Sequence, residues 1–282
     1  MKPVSLIKRL PAGRDTALRL WNRVVRLRGP QEVITYFGAK IICNARDIIQ
    51  ASIAHFGIWE PSVSRAFERF VMPGSVVVDA GANIGYYTLL AAKLVGPDGT
   101  VVAIEALPRL AAEVAMNASI NGFTNVRVVN VALSDQPGEL LLYEAPSTNV
   151  GMTTTKADRG FAATTVAKAL PLTDVLSADE LRRVSFLKCD IEGAEGPVMN
   201  QLLDGLALLS PDLVIVVEAS DTKEWDSLFE RFRNEGFHAY QLYNELNTMW
   251  SDLLHDKAPQ DWKSVSTKPK GQVDLLLSRK PL

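Results

Sequence analysis

Carboxylates and glycines that follow apolar segments are the residues in this sequence that could do chemistry. The segment from Asp79 to Gly85 reads Asp-Ala-Gly-Ala-Asn-Ile-Gly and follows a short run of valines. A second carboxylate, Glu105, closes the next apolar run, and an acidic block from Asp190 to Glu195 closes a later one. Carboxylates can bind hydroxyl groups, attract cations or accept a proton from a reacting group. These positions therefore predict a site that binds a polar or cationic ligand and moves a proton.

A βαβ unit positions the first of these segments. The three residues from Val76 to Val78 are β-branched and apolar, which is typical of a strand buried on both faces. From Ile84 the apolar residues recur at helical spacing, and the run from Thr100 to Ile104 predicts a second strand. Because the crossover between parallel strands is right-handed, the loop after Asp79 should lie at the carboxyl edge of the sheet, where open α/β sheets bind ligands.

The spacing of the glycines in this loop argues against a dinucleotide. A dinucleotide fingerprint has three glycines, G-x-G-x-x-G, so that the backbone can approach a pyrophosphate. The observed pattern is Asp79-x-Gly81-x-Asn83-x-Gly85. It places an acid where phosphates would sit, and an acidic loop suits a ligand with positive charge, such as the sulfonium and ammonium of S-adenosylmethionine. Glu105 stands where a carboxylate can accept hydrogen bonds from both ribose hydroxyls.

Composition and charge limit the class of protein. With 282 residues, of which 47% are hydrophobic, the chain can form one large α/β domain. A net charge of −2 argues against a protein that binds duplex nucleic acid. The two cysteines, Cys43 and Cys189, lack metal or redox spacing, which predicts buried thiols in a reducing, cytoplasmic compartment. No apolar run is long enough to span a membrane or to serve as a signal peptide.

Residues 1–30 form a basic extension, with eight lysines and arginines against one aspartate. From Arg14 to Arg28 apolar residues recur at helical spacing between arginines, which predicts an amphipathic helix. Two interpretations stay open. We favour a helix packed on the domain or on a partner subunit; the alternative is peripheral contact with an anionic membrane surface, such as the inner membrane surface.

Residues 31–282 are predicted to form a single domain, with a cofactor half at about 71–135 and an acceptor and catalytic half at about 140–282. The fold class is α/β: a doubly wound, Rossmann-like, mostly parallel sheet of seven strands. The other five strands are predicted to begin at Asn125, Val184, Leu213, Phe237 and Val273. A hairpin is expected over residues 31–42. Further helices are predicted at residues 47–56, 61–70, 110–120, 173–181, 195–203 and 226–234.

Three other segments carry expectations about structure. An antiparallel strand over residues 139–144 is predicted to decorate the sheet, and a short strand is predicted over residues 166–170. The segment 146–165 is predicted to be a long loop, as is most of 243–271.

Several residues outside the two motifs are candidates for ligand contacts. The end of the third strand, around Asn130, Ala132 and Leu133, should flank the adenine. In the long loop, Asn149, Gly151 and Thr153 are candidates for the acceptor. A cover for the cofactor or acceptor could come from Gly57, Trp59 and Glu60. None of the three histidines, His55, His238 and His255, lies in a recognisable motif, so a structural role is favoured for each.

The motifs resemble those of the FkbM family of S-adenosylmethionine-dependent methyltransferases over roughly residues 40 to 280. The resemblance rests on the turn from Asp79 to Gly85, the Glu105 strand end, the segment from Asn130 to Asp135, and Lys188-x-Asp190-x-Glu192-Gly193-x-Glu195. The sequence after Glu105 is Ala106-Leu107-Pro108, where the family more often has proline directly. Despite this difference, Glu105, the carboxylate expected to bind the ribose hydroxyls, is present.

This resemblance implies S-adenosylmethionine as the cofactor and methylation of a hydroxyl group on a small molecule, such as a sugar or glycan. The predicted cofactor residues are Asp79, Gly81, Asn83, Gly85, Glu105, Ala106, Ala132 and Leu133. The predicted catalytic residues are Asp190, as the base, and Glu192. Glu192 and Glu195 could each be the base, bind acceptor hydroxyls or hold the turn. A metal site at Asp190, Glu192 and Glu218 is conceivable, but no metal is predicted.

Two other functions stay open at this point. The protein could methylate RNA or protein, although the acidic composition and the absence of an Asn/Asp-Pro-Pro-aromatic motif after the fourth strand argue against methylation of a base amino group. It could also be a binding module that keeps the cofactor pocket without turnover, which the intact Asp190 and Glu192 disfavour. No nucleic-acid partner is expected, and the sequence does not determine the oligomeric state.

Overall fold

The structure is a computed structural model that describes residues 3–157, 160–244 and 246–282. Its helices are α1 (Pro3–Ile7), α2 (Arg14–Arg26), α3 (Ile48–Phe56), α4 (Pro61–Phe70), α5 (Tyr86–Val95), α6 (Pro108–Ile120), α7 (Leu172–Val175), α8 (Ala178–Arg183), α9 (Glu195–Asp204), α10 (Lys223–Asn234) and α11 (Leu246–Leu254). Its strands are β1 (Gln31–Ile34), β2 (Lys40–Cys43), β3 (Val76–Ala80), β4 (Thr100–Ile104), β5 (Val126–Val129), β6 (Ala132–Leu133), β7 (Gly138–Glu144), β8 (Ala162–Leu170), β9 (Val184–Cys189), β10 (Val214–Ala219), β11 (His238–Leu242), β12 (Lys263–Val265) and β13 (Val273–Ser278).

The main sheet has the order β12-β11-β13-β10-β9-β3-β4-β5. Strands β10, β9, β3, β4 and β5 are parallel to one another, whereas β13 lies antiparallel between β10 and β11. The seven predicted strands are all present, and the prediction of an α/β, doubly wound, Rossmann-like sheet is confirmed. The short strand β12 extends the sheet by one strand beyond the prediction.

Both faces of the central strands are covered. In β3 the side chain of Val77 belongs to one hydrophobic cluster, with Phe67 of α4, whereas Val76 and Val78 belong to a second, with Met199 of α9. All three valines are completely buried, because neighbouring side chains of a strand point to opposite faces and each face carries helices. The expectation of an apolar strand between two helical layers is confirmed.

The order of the strands places the functional loops together. The chain builds β3, β4 and β5 outward to one side and then returns to place β9 and β10 on the other side of β3. This reversal is the topological switch point, and ligands of open α/β sheets bind beside it, at the carboxyl ends of the strands. The turn after Asp79 and the acidic block after Cys189 therefore meet at the carboxyl edge of the sheet.

The strand predicted over residues 139–144 does not belong to the main sheet, so the prediction that it decorates that sheet is wrong. Residues 138–144 form β7, which pairs with β8 and, through it, with β6 in a separate three-stranded sheet. Strand β8 begins at Ala162, so the predicted loop is shorter than expected. The first residues of β8 are small or polar and mostly exposed, so no apolar alternation marks them as a strand. Pairing with β7, a tertiary contact, supplies the hydrogen bonds of the strand.

Two helical predictions were also corrected. The single helix expected over residues 173–181 is broken into α7 and α8, because Ser177 and Glu180 form a capping box that starts a new helix. The predicted connection 243–271 contains α11 and β12. Helix α11 packs Trp250 and Leu254 against the amino-terminal helices, so its stability depends on a contact distant in sequence.

The predicted amphipathic helix of the basic extension is present as α2, preceded by the short helix α1. Leu18 of α2 is buried with Val4, Ile7 and Leu254, and Val25 is buried against the segment that leads into α3. One face of α2 thus packs on the body of the protein. Among the described residues, no helix combines the length and the apolar character needed to cross a bilayer.

Candidate functional site

A cleft of about 670 Å³ opens at the carboxyl ends of the central strands. It is lined by the loops after β3, β4, β5, β9 and β10, by residues 149–155 before β8, and by residues 272–274 at the start of β13. A volume of this size is typical of small-molecule sites. The cleft therefore lies where the order of the strands predicts it.

The glycine turn forms one wall of this cleft. Gly81, Asn83 and Gly85 all have positive φ angles, of 76°, 53° and 91°, a region that asparagine and glycine tolerate best. A Cβ atom on Gly81 would overlap the carbonyl oxygen of Asp190. The backbones of the loops after β3 and β9 thus touch here, and only glycine allows this approach. The turn brings the predicted cofactor loop against the predicted catalytic acid.

Replacement of Gly81 by alanine should lower stability more than the same change at Gly74. Both residues have φ near +75°, but a Cβ on Gly74 would meet nothing within 4 Å. Gly74→Ala should therefore cost only the left-handed strain, about 1–2 kcal/mol. Gly81→Ala should add overpacking of about 1–3 kcal/mol and weaken cofactor binding. Urea denaturation and calorimetry measure both. Equal losses in the two variants would contradict the proposed contact.

Asp79 lies beneath the turn and is not among the residues that line the cleft. Its side chain is completely buried, and its Oδ2 atom accepts a hydrogen bond of 2.6 Å from the Thr88 hydroxyl. Its Oδ1 atom is buried without a partner in the described part of the chain. Burial raises the pKa of Asp79, and the nearby Lys188 ammonium opposes that shift. Asp79 is therefore a buried acceptor with one oxygen unused.

Glu105 closes β4 and faces the cleft. Its two oxygens accept hydrogen bonds from the backbone N–H groups of Asn83, at 2.8 Å, and Leu107, at 2.9 Å. Each carboxylate oxygen has a second lone pair, so the group can still accept two hydrogen bonds from a ligand. Burial raises the pKa of Glu105 to about 7. The carboxylate is thus fixed in position and close to its protonation midpoint at neutral pH.

The remaining predicted cofactor residues are arranged around Glu105. Ala106, Ala132 and Leu133 line the cleft. Asn130 does not line it; its amide instead donates to the carbonyl oxygens of Glu105 and Ala106, at 2.8 and 2.9 Å. Asn130 therefore ties the end of β5 to the end of β4. Its position next to the cofactor residues was expected, but its contact is with the backbone.

A buried ion pair stands at the end of β9. The Lys188 ammonium donates to Asp190 Oδ2 at 3.2 Å, and the Lys188 side chain is 4% exposed, whereas that of Asp190 is 37% exposed. Burial lowers the pKa of Lys188, but the carboxylates of Asp190, Asp79 and Glu60 outweigh burial and the pKa is raised. Lys188 therefore stays charged and holds the Asp190 carboxylate, which reaches into the cleft.

Three more carboxyl groups face Asp190 across the cleft. Burial, with the neighbouring Asp274 and Asp190, raises the pKa of Glu60 to about 8. Burial raises the pKa of Glu218 to about 9 and that of Asp274 to about 6, and Asp190 adds to both shifts. Tyr87 donates to Glu60 at 2.8 Å, and Asn244 donates to Asp274 at 3.1 Å. At neutral pH, Glu60 and Glu218 hold their protons.

Glu192 and Glu195 occupy different positions. Glu195 is completely buried and accepts hydrogen bonds from the backbone N–H groups of Ile191, at 2.9 Å, and Gly193, at 2.9 Å. Of the roles left open by the sequence, Glu195 holds the turn. Glu192 lines the cleft with φ +57°, and its carbonyl oxygen accepts from the Thr154 hydroxyl at 2.6 Å. Glu192 therefore faces the space that an acceptor would occupy.

The carboxyl groups that lie close enough to hold a metal ion differ from those named in the sequence analysis. Oxygen atoms of Asp190, Glu195 and Glu218 lie within 4.8 Å of one another, with Glu195 in place of Glu192. The oxygens of Glu195 already accept backbone hydrogen bonds. The absence of a metal stays a prediction.

Other candidate residues are brought together around the cleft. Asn149, Gly151 and Thr153 line it, as do Trp59 and Glu60, whereas Gly57 does not. The three histidines lie elsewhere. His55 is buried beside Asn22, burial lowers its pKa to about 4, His238 is exposed, and His255 contacts Asp15.

Sequence reasoning assigned no role to three residues of the site: Lys188, Asn244 and Asp274. Lys188 belonged to a quoted motif, and Asp274 is the one acid of the apolar strand β13, opposite Glu218 of β10 in the strand register. A buried charge in an apolar strand was the available signal. Asn244 had none.

The raised pKa values predict that stability falls as pH rises from about 6.5 to 9. Folded Glu60 and Glu218 bind protons that their unfolded forms, with pKa 4.5, release, so the unfolding free energy decreases with pH. Below pH 6.5 the lowered pKa of His55 acts in the opposite direction. Differential scanning calorimetry measures Tm against pH.

Glu218→Gln should make this slope shallower, whereas Glu139→Gln, at an exposed site on β7, should not change it. A flat wild-type profile over this range would contradict the protonated state of the cluster.

The side chains around the cleft fit S-adenosylmethionine. Glu105 offers a carboxylate with free acceptor capacity to a diol, and the buried Asp79 has an unused oxygen that favours positive charge nearby. Among the residues that the structure describes, the lining has six carboxyl groups and one lysine, with no arginine or histidine. Such a charge pattern suits a cationic cofactor better than a dinucleotide.

Comparison with known proteins agrees with this fit. Residues 79–239, more than half of the chain, match the methyltransferase FkbM domain. Methyltransferase 1 of Beauveria bassiana is 29% identical over 169 residues, which cover 53% of this chain and 66% of the fungal protein. A protein-L-isoaspartate O-methyltransferase of Aeropyrum pernix is 41% identical over 63 residues, which cover 22% of this chain and 24% of the archaeal protein. The chain thus matches less than two thirds of the length of either relative.

Solved structures with a similar course of the chain include two methyltransferases. Methyltransferase FkbM from Methylobacillus flagellatus KT is 10% identical, with a TM-score of 0.45 and coverage of 94% of this chain and 60% of that one. A SAM-dependent O-methyltransferase from Thermotoga maritima is 12% identical, with a TM-score of 0.43 and coverage of 90% and 79%. The assignment rests on the domain match and the site. The chain belongs to the FkbM family of S-adenosylmethionine-dependent methyltransferases.

Proposed function

We propose that this protein transfers a methyl group to a hydroxyl group of a sugar or glycan. The observation that carries the proposal is the placement of Asp190. Asp190 lines the cleft, its carboxylate is held by the buried Lys188, and its backbone carbonyl lies directly against the glycine turn of the cofactor loop. A base next to the cofactor loop is what activation of a hydroxyl nucleophile requires.

The cofactor would be held by residues on the β3 and β4 side of the cleft. Glu105 would accept hydrogen bonds from the ribose hydroxyls, and Ala132 and Leu133 would flank the adenine. The turn at Gly81 would pass close to the rest of the cofactor. When bound, S-adenosylmethionine supplies an electrophilic methyl group on a positively charged sulfur. Glu105 must be ionised to accept both hydrogen bonds, so its pKa near 7 makes it sensitive to pH in the neutral range.

Asp190 would accept the proton of the acceptor hydroxyl. The Lys188 ammonium, at 3.2 Å, fixes the orientation of the carboxylate and leaves its other oxygen for the acceptor. After Asp190 takes the proton, the carboxyl group of Asp79 still lies near the Lys188 ammonium and favours its charge. The ion pair can therefore lose one charge without leaving the lysine isolated in a buried site.

The other carboxyl groups suit an acceptor with several hydroxyls. Glu60 and Glu218 carry protons at neutral pH and can donate hydrogen bonds, whereas Asp274, with a pKa near 6, can accept them. An array of donors and acceptors matches the neighbouring hydroxyls of a sugar. The same array would repel a phosphate or carboxylate at the reacting end of the acceptor.

This charge pattern also weighs against the alternative functions. RNA and the carboxylate acceptor of an isoaspartyl residue are both anionic. Within the described part of the chain, the only basic side chain that lines the cleft is Lys188, which is already paired. A binding module without turnover has no use for a partly exposed carboxylate fixed by a buried ammonium. Such a module stays the alternative that experiment must exclude.

The test is a transfer assay with S-adenosylmethionine labelled in the methyl group. Binding of the cofactor is first measured by calorimetry, and neutral glycans, phosphorylated glycans, polyketides and RNA are then offered as acceptors. We expect label in neutral glycans, and the loss of a methylated glycan from cells that lack the protein. Label in RNA, polyketides or phosphorylated acceptors alone would overturn the proposal, as would cofactor binding without transfer to any acceptor.

A further inference from the structure

The outward face of α2 carries two parallel stripes that the fold does not use. Leu20, Val24 and Leu27 follow one another at i, i+4 and i+7 and are 56%, 45% and 82% exposed. Arg19 and Arg23 form a second stripe beside them and are exposed. Residues three and four apart share a helix face, so an apolar and a basic stripe lie side by side. The helix therefore buries one apolar face and presents another.

The arginines of this face are free to meet a partner. Within residues 3–157, 160–244 and 246–282, neither Arg19 nor Arg23 forms an ion pair or a side-chain hydrogen bond. Arg26, one turn further, is different because it donates to the carbonyl oxygen of Arg46. Two unpaired arginines next to three exposed apolar side chains are more than the scattered leucines of an ordinary surface.

Charge is divided sharply between this segment and the rest of the chain. Residues 1–30 carry a net charge of +7, so residues 31–282 carry −9 for the chain to total −2. An anionic surface therefore attracts residues 1–30 and not the acidic remainder of the protein. The acidic body, which contains the cleft, is repelled and turned away from that surface.

We propose that the outward face of α2 docks on a membrane surface rich in anionic lipids. An amphipathic helix that lies in the interface needs apolar side chains to enter the acyl boundary and basic ones to reach the headgroups. The two stripes of α2 supply both. Nucleic acid would use the arginines but would leave the exposed leucines without an apolar partner. The cytoplasmic leaflet carries the anionic lipids that such a face requires.

The test is cosedimentation of the full chain with vesicles. Vesicles of phosphatidylcholine alone are compared with vesicles of phosphatidylcholine mixed with phosphatidylglycerol. We expect binding to the anionic vesicles that weakens with added salt, and much weaker binding to the neutral ones. Arg19→Gln with Arg23→Gln should weaken binding about thirtyfold, since each arginine near an anionic surface contributes about 1 kcal/mol. Leu20→Ser with Leu27→Ser should weaken it at both low and high salt.

Matched controls come from the same chain. Lys168→Gln with Lys223→Gln removes the same charge from exposed sites elsewhere, and Val166→Ser with Leu208→Ser removes exposed apolar groups. These variants should bind like the wild type, and Tm should be unchanged in all variants because the altered side chains are exposed. Equal binding to neutral vesicles, or equal loss in the controls, would overturn the proposal.

A polyanion or a second copy of the chain on the outward face of α2 would give different results from a membrane. Binding to heparin or RNA that is unaffected by Leu20→Ser with Leu27→Ser would identify a polyanion site and overturn the lipid proposal. A dimer in sedimentation velocity that Leu20→Ser with Leu27→Ser dissociates, without vesicle binding, would assign the face to a second copy of the chain. Neither result bears on methyl transfer, because α2 does not line the cleft.

Discussion

Asp190→Asn is expected to lower kcat by about a hundredfold to ten-thousandfold while leaving the affinity for S-adenosylmethionine unchanged. The range is that of a positioned general base. Asparagine keeps the shape of the side chain and can still accept a hydrogen bond from Lys188, but it cannot take a proton. Steady-state transfer to the best acceptor found by the screen measures kcat and KM, and calorimetry measures cofactor affinity.

The matched comparison is Glu192→Gln. Glu192 lines the same cleft, but the buried Lys188 ammonium pairs with Asp190, so loss of the Glu192 carboxylate should raise KM for the acceptor more than it lowers kcat. The Asp190 variant should fold normally, because the carboxyl group of Asp79 still lies near the Lys188 ammonium. Unchanged kcat in Asp190→Asn, or a large kcat loss only in Glu192→Gln, would remove Asp190 from the role of base.

Glu105→Gln is expected to weaken cofactor binding by about one to two orders of magnitude, since a hydrogen bond to a charged group is worth about 1.5–3 kcal/mol. The pH dependence separates this effect from a structural one. With a pKa near 7, wild-type Glu105 loses its charge as pH falls, so the dissociation constant should rise below pH 7. In Glu105→Gln, calorimetry should show that this part of the pH dependence is gone.

Stability must be followed in the same variant. The glutamine amide has one oxygen, so it can accept from only one of the backbone N–H groups of Asn83 and Leu107, and a modest loss of Tm is expected. Glu139→Gln, at an exposed acid of β7, is the control for loss of charge and should bind like the wild type. Cofactor binding in Glu105→Gln with wild-type affinity and pH profile would exclude Glu105 from the ribose site.

Much of the site was predictable because its parts are local. The turn from Asp79 to Gly85 directly follows an apolar strand, and strand ends at one edge of a parallel sheet must converge. The partners across the cleft were not predictable in this way. Glu60 precedes α4, and Asp274 lies in the last strand, so only the complete sheet brings them near Asp190. The raised pKa values of Glu60 and Asp274 follow from their burial and from the proximity of these carboxyl groups to one another.

The sequence by itself determined the order of the elements, the seven principal strands and the cofactor loop, because apolar periodicity and glycine spacing act over a few residues. The tertiary structure decided that β7 joins a separate sheet, that α11 forms within a polar connection, and that Lys188 pairs with Asp190. It also decided which face of α2 is covered. These features depend on contacts between segments far apart in the chain, and local preference is weaker than the packing that such contacts supply.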